Sequence, residues 1–138
     1  MTDATTHFEE QILDWATEAS GFNAAPSTLY VALHSDAPGP NAGNNELTYS
    51  SYSRASVPAG SGWDRDVTGQ PTRVQNSERI NFGLAEESWG TITHFSVWTD
   101  VQGGSGNPLF KSDLAESRTI EADDEIRFLV GELQLEVD

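Results

Sequence analysis

Two periodicities divide the chain. Between Phe8 and Ala19 the apolar residues Phe8, Ile12, Trp15, Ala16 and Ala19 fall at helical spacing and share one stripe. Thr6 followed by Glu9 makes a capping-box pattern, and Gly21 supplies a stop from which Phe22 folds back on the last turn. A helix is therefore predicted over about residues 6–20, packed through Phe8, Ile12 and Trp15.

From Thr28 onward the period is two. "TLYVALH" sets Leu29, Val31 and Leu33 against Tyr30, Ala32 and His34. "YSRASV" (Tyr52 to Val57) and "SERINF" (Ser77 to Phe82) alternate in the same way. In "SWGTITHFSVWTDVQGG", Thr93, Phe95 and Val97 are expected to oppose Ile92, His94, Ser96 and Trp98. Trp89 and Gly90 before them read as a sheet corner. "LFKSDL" and "SRTIEA" read as two short strands with a polar connection. "DEIRFLV" puts Ile126, Phe128 and Val130 on one face, and "ELQLEVD" points Leu133, Leu135 and Val137 inward, with Gly131 between the two runs. Loops rich in Gly, Pro and Asn span Asp36 to Glu46 and Ala59 to Thr72. One helix and then about seven strands predict a mainly β fold, an antiparallel, jelly-roll-like β-sandwich forming a single domain over residues 1–138.

Charge narrows the function. Acidic residues number 22 against 7 Lys plus Arg, a formal −15. Nucleic-acid binding needs cations to displace counterions, and an anionic membrane would repel this surface. Lys111 is the single lysine. Such self-repulsion is relieved when molar salt shortens the screening length to about 3 Å, so the composition reads as adaptation to brine. An acidic protein that merely lacks lysine is the plainer alternative. Cysteine is absent, which removes disulfides, thiolate metal sites and thiol nucleophiles. "MTDATTHFEE" has neither the basic nor the apolar region of a secretory signal, and no apolar run approaches the roughly 18 residues of a membrane span. Synthesis in the cytoplasm without membrane insertion is expected.

Candidate chemistry is thin. His34, Asp36 and His94 could form part of a zinc site, but no ligand spacing supports one. The alternative is that each histidine bridges a hydrogen bond within the sheet, with His7 exposed on the helix. "GSG" (Gly60 to Gly62) and "GGSG" (Gly103 to Gly106) are not nucleophile elbows, since no helix follows either. "EADDE" (Glu121 to Glu125) lacks the alternation of a calcium loop. Glu86 and Glu87 could be paired as in a glycosidase, but neighbours at a turn usually point apart. His94 has no evident partner for general-base work. No catalytic, cofactor-binding or metal residue is assigned, and no enzyme is expected.

The segments "STLYVALHSDAPG", "YSRASV", "INFGLAEESWGTITHFSVWT", "LFKSDLAESRTIEADDEIRF" and "GELQLEVD" follow one another in this order. Together they resemble a family of small tailed-virus virion proteins commonly labelled tail fibre proteins. The likeness runs from Phe8 to Asp138, and "WGTITHFSVW" (Trp89 to Trp98) is its most specific part. It implies a β-rich virion component without catalytic residues or cofactor. The acidity departs from bacterial-virus members and suggests a virus of a salt-loving archaeal host. The lack of a repetitive shaft argues for a compact module.

The expected role is a tail-associated structural module, fibre- or baseplate-like. The expected partners are other virion proteins and copies of itself in a cyclic trimer, pentamer or hexamer. Capsid decoration or a turret at a symmetry axis is the alternative. So is a module binding a host cell-surface glycan through Tyr49, Tyr52 and Trp63; those aromatics could equally plug the core or an interface. At least one of the two long loops is expected to order against a neighbouring subunit, with Trp63 among the interface residues.

Overall fold

The computed structural model describes residues 2–18, 26–65, 72–100 and 107–137. Its elements are β1 (Asp3–Ala4), α1 (Thr6–Glu18), β2 (Thr28–His34), β3 (Ala55–Pro58), β4 (Trp63–Arg65), β5 (Arg73–Asn76), β6 (Ile80–Leu84), β7 (Gly90–Trp98), β8 (Pro108–Ile120), β9 (Glu125–Phe128) and β10 (Gln134–Glu136). All pairings are antiparallel. One sheet has the order β1-β8-β7-β2-β3; a second has β10-β5-β4, and β6 pairs with β9. The fold is mainly β, sandwich-like, with an N-terminal helix.

Alternation in β2 places Val31 and Leu33 in the core, beside Phe95 and Val97 of β7, their register partners. Ile80, Phe82, Ile126, Phe128 and Leu135 come from the other two sheets, and Leu133 from the β9–β10 turn, to the same core. Phe82 meets Phe128 edge-on at 5.9 Å, and Tyr52 meets Trp89 edge-on at 5.6 Å. Trp89 is buried and Gly90 has φ +70, so the expected corner is present.

Several expectations are corrected. In β7 the residues that join the main core are Ile92, Phe95 and Val97, with Thr93 only half-buried, while Ser96 and Trp98 are buried outside that core. A bulge between Ile92 and His94 changes the side-chain parity there. The two short strands expected after residue 107 are one strand, β8. Ile92 pairs with Arg118 and His94 with Asp113, so the extra length of β8 around Leu114 to Ser117 is absorbed as that bulge rather than as a connection. Val130 is exposed because β9 ends at Phe128 and the chain turns at Gly131, whose φ is +80. Val137 is half exposed beyond β10. Strands β4 and β5 lie in and just after a stretch read as loop.

The helix differs most. Its cap is Thr5, not Thr6: the Thr5 hydroxyl accepts from Phe8 N at 3.3 Å and donates to Pro108 O. The first turn packs on β8, with Phe8 edge-on to Phe110 at 5.2 Å. Ile12 is 39% exposed and Trp15 59%, so the helix is not packed through them. The apolar stripe is real, and its first turn reaches the sheet through Phe8. The helix is described to Glu18; Ala19, Gly21 and Phe22 lie outside the described residues, as does Gly103 to Gly106.

Candidate functional site

The histidines expected at the centre of any chemistry lie on the face of the large sheet opposite the main core. His34 and His94 are register partners across β2 and β7. His34 is fully buried. Its Nδ1 is 2.8 Å from Asn44 O, a partner that can only accept, so Nδ1 carries the proton. Nε2 then accepts from the Ser96 hydroxyl at 2.7 Å, and Ser96 Oγ accepts from Trp98 Nε1 at 2.7 Å. Burial holds the His34 imidazole below its ordinary pKa, against the opposing pull of Asn44 O and Glu46. Every polar atom of this chain is already used, and its product is attachment: it ties the loop after β2 to the sheet.

That loop, Asp36 to Glu46, folds over its own sheet. Ala42 is fully buried against Ala32 and Trp98. The loop's apolar residue is thus seated within its own subunit. Asp36 accepts from Ala37 N at 2.8 Å in its own turn and does not join the histidines. His94 is half-buried, with Nδ1 2.7 Å from the Thr93 hydroxyl. His7 is half-buried rather than exposed, 3.1 Å from Gln11. Among the described residues, no group of three or more His, Asp or Glu side chains is placed to hold a metal ion.

The far end of the loop closes on Arg54. Arg54 Nε and Nη2 donate to the two Glu46 carboxylate oxygens, each at 2.8 Å, and Nη1 donates to Asp100 O at 2.9 Å. The guanidinium stacks 3.9 Å from the Trp98 ring centroid. The Tyr52 hydroxyl donates to Glu46 Oε2 and accepts from Leu33 N, both at 3.0 Å. Burial works against the Glu46 charge, but the Arg54 and Tyr52 contacts outweigh it and hold the carboxyl below its ordinary range. Burial, reinforced by that carboxylate, pushes the Tyr52 phenol up. Tyr52 is thus a framework residue, and Trp63 is half-buried against the core; Tyr49 is the exposed one of the three aromatics, at 41%.

The remaining sequence candidates are also local. Glu87 accepts from the Ser50 and Ser51 hydroxyls, which lower its pKa, while Glu86 faces solvent. Gly62 fits a tight turn: a Cβ there would lie 2.4 Å from Pro58 O. Asp124 accepts from Glu121 N at 2.9 Å within its own turn.

What sequence reasoning missed is a cleft of about 560 Å³ at the side of the sandwich, between β8 on one wall and β10 and the β9–β10 turn on the other. Arg118 crosses it. Its Nη1 donates to Arg127 O and its Nη2 to Glu132 Oε2, each at 2.7 Å, and the guanidinium lies 4.2 Å from the Phe128 ring centroid. Arg73 and Glu136 form a second ion pair at 3.3 Å. The edges of Phe95 and Phe128, with Leu114, give the cleft its apolar part. The signal in the sequence was the polar run "SDLAESR", too charged for a plain strand and too long for its partner.

The buried polar groups described in this helix-bearing antiparallel sandwich hold its own loops to its sheets. The chain matches, over residues 3–136, the family described as Podophage GP4 fiber I protein gp80, and it belongs to that family. No curated protein matches it. It is therefore a virion component of the fibre type, and its assembly is with other virion components.

Proposed function

We propose that the chain is one folded, non-enzymatic module of a tailed-virus fibre that works as a closed homo-oligomer in a salt-rich environment. The observation that carries this reading is the family match over nearly the whole chain. Self-association is supported by the outer helix: Ile12 and Leu13 are 39% and 60% exposed, beyond the one turn that packs on β8. A fibre position offers rotational symmetry, so a closed cyclic assembly fits such a face. The salt-rich setting is supported by the formal charge of −15 with one lysine. Mass photometry in molar potassium chloride tests the assembly. A single species at three, five or six times the chain mass is expected; a strict monomer across the concentration range contradicts it.

A further inference from the structure

We propose that His34 is a proton-operated latch: when its ring takes up a second proton, the Asp36–Glu46 loop lifts off the sheet and helix α1 loses the cap that this loop provides. The latch works within one subunit and does not depend on self-association. Inside the loop, Asn44 N donates to Pro38 O at 2.9 Å, Asn45 Nδ2 to Ala37 O at 2.9 Å and Ala42 N to Gly39 O at 3.1 Å, so the loop is one closed piece. On one side Asn44 O accepts from His34 Nδ1 at 2.8 Å. On the other, Pro40 O accepts from Thr6 N and Asn41 Oδ1 from His7 N, both at 3.0 Å. Those are the first two amides of α1, which have no partner within a helix. Ala42 lies between the two attachments, fully buried beside Ala32 and Trp98. Its backbone is left-handed at φ +54, a conformation alanine keeps only while its contacts impose it. The bond to His34 and the helix cap therefore belong to one strained body.

The neutral ring fits its site and the cation does not. Neutral His34 donates through Nδ1 and accepts from the Ser96 hydroxyl through Nε2, while Ser96 Oγ accepts from Trp98 Nε1. A second proton turns Nε2 from acceptor into donor. The Ser96 hydroxyl hydrogen then has no acceptor among the described residues, in a fully buried place. Burial opposes the cation most, Arg54 and His94 add to that, and Asn44 O and Glu46 favour it; the balance holds the ring below 6.5. Of the other titratable groups nearby, Asp36 is engaged with Ala37 N, Tyr52 with Glu46 and Leu33 N, and His7 with Gln11. Lys111 and Asp113 lie on β8, one strand beyond His94. Once the loop lifts, the ring reaches water and regains its ordinary affinity for the proton. Opening therefore gains as pH falls below 6.5 and levels off below the folded pKa. Arg54 still grips Glu46 in that range, because the Glu46 carboxyl titrates below 4.5. The loop thus pivots on Glu46 rather than detaching.

The test is amide hydrogen exchange by NMR on the intact chain in molar potassium chloride, from pH 7.5 to 5, corrected for the intrinsic pH dependence of exchange. Protection of Ala42, Asn44, Thr6 and His7 should fall together below pH 6.5, by up to about tenfold per pH unit, the limit for one proton. Val31 and Val97 in the sheet should keep theirs. In the same titration the His34 ring signals should change over the same pH range as the loop amides. His34→Gln keeps a donor toward Asn44 O and an acceptor toward Ser96 but cannot titrate, so it should abolish the acid loss while the loop stays closed. Protection that holds to pH 5, or that is lost together with the sheet, would overturn the proposal. So would loop amides that open while Thr6 and His7 stay protected, ring signals that change at a different pH, or an equal acid loss in His34→Gln.

Discussion

Arg54 grips Glu46 with two hydrogen bonds of 2.8 Å while its guanidinium lies on Trp98, and the Arg54 side chain is only 1% exposed. Removing one partner leaves the other charge in a desolvated place. Arg54→Ala should cost about 3–5 kcal/mol and loosen the Asp36–Glu46 loop. Chemical denaturation gives the energy, and proteolysis of that loop gives the local effect. A loss below about 1 kcal/mol would reclassify the pair as a surface salt bridge.

The same carboxylate sets an acid limit. Its folded pKa lies below the ordinary value of 4.5, so its contribution is present above that value and is lost as pH falls through the folded pKa. Glu46→Gln should flatten the melting-temperature profile in that window. An unchanged profile would contradict the assignment.

His34 acts earlier in an acid titration. Its folded pKa is below 6.5, so as pH drops under 6.5 the unfolded chain takes up a proton that the native chain refuses. Stability should fall from there toward the folded pKa, with a slope of at most about 1.4 kcal/mol per pH unit from this group. Melting curves from pH 7.5 downward should show the fall in the parent chain and a shallower one in His34→Gln. Equal slopes would remove His34 as its source.

Asn76 is fully buried and joins β5 to the β9–β10 turn. Its Nδ2 donates to Glu78 O at 2.7 Å and Leu129 O at 2.9 Å, and its Oδ1 accepts from Leu133 N at 3.0 Å. Asn76→Ala strands three backbone groups and should cost about 2–4 kcal/mol. Asn76→Asp keeps the acceptor but loses both donations and should be no better than the alanine. Denaturant midpoints decide; an aspartate variant matching the parent would contradict the bonding.

On the helix, Trp15→Ala should cost less than about 1 kcal/mol at 59% exposure, while Phe8→Ala, which removes the contact with Phe110, should cost about 1–2 kcal/mol. The reverse order in thermal unfolding would mean that the stripe is packed along its length.

These residues also mark what the sequence could reveal. The two faces of β2 were legible because both are lined in simple alternation by Leu29, Val31 and Leu33 against Tyr30, Ala32 and His34. The helix was legible as a helix, but a stripe says only that a face is apolar, not how far the partner extends. Ile92 and Thr93 were exchanged because a bulge moves the parity without any glycine or proline to announce it. The Arg54–Glu46 pair had a usable signal: Tyr52 and Arg54 stand two apart and both reach Glu46. The cleft had only the polar run around Leu114 to Ser117, since Arg73 of β5, Arg118 of β8 and Glu132 of the β9–β10 turn come together only on folding.

Cryo-EM of the purified virus particle, with this chain placed in the density, tests the central claim most directly. The account predicts copies arranged by rotational symmetry on the tail, with Ile12 and Leu13 of one copy covered by the next. Particles that lack the chain, or that carry it only as isolated copies on the capsid surface, would contradict it.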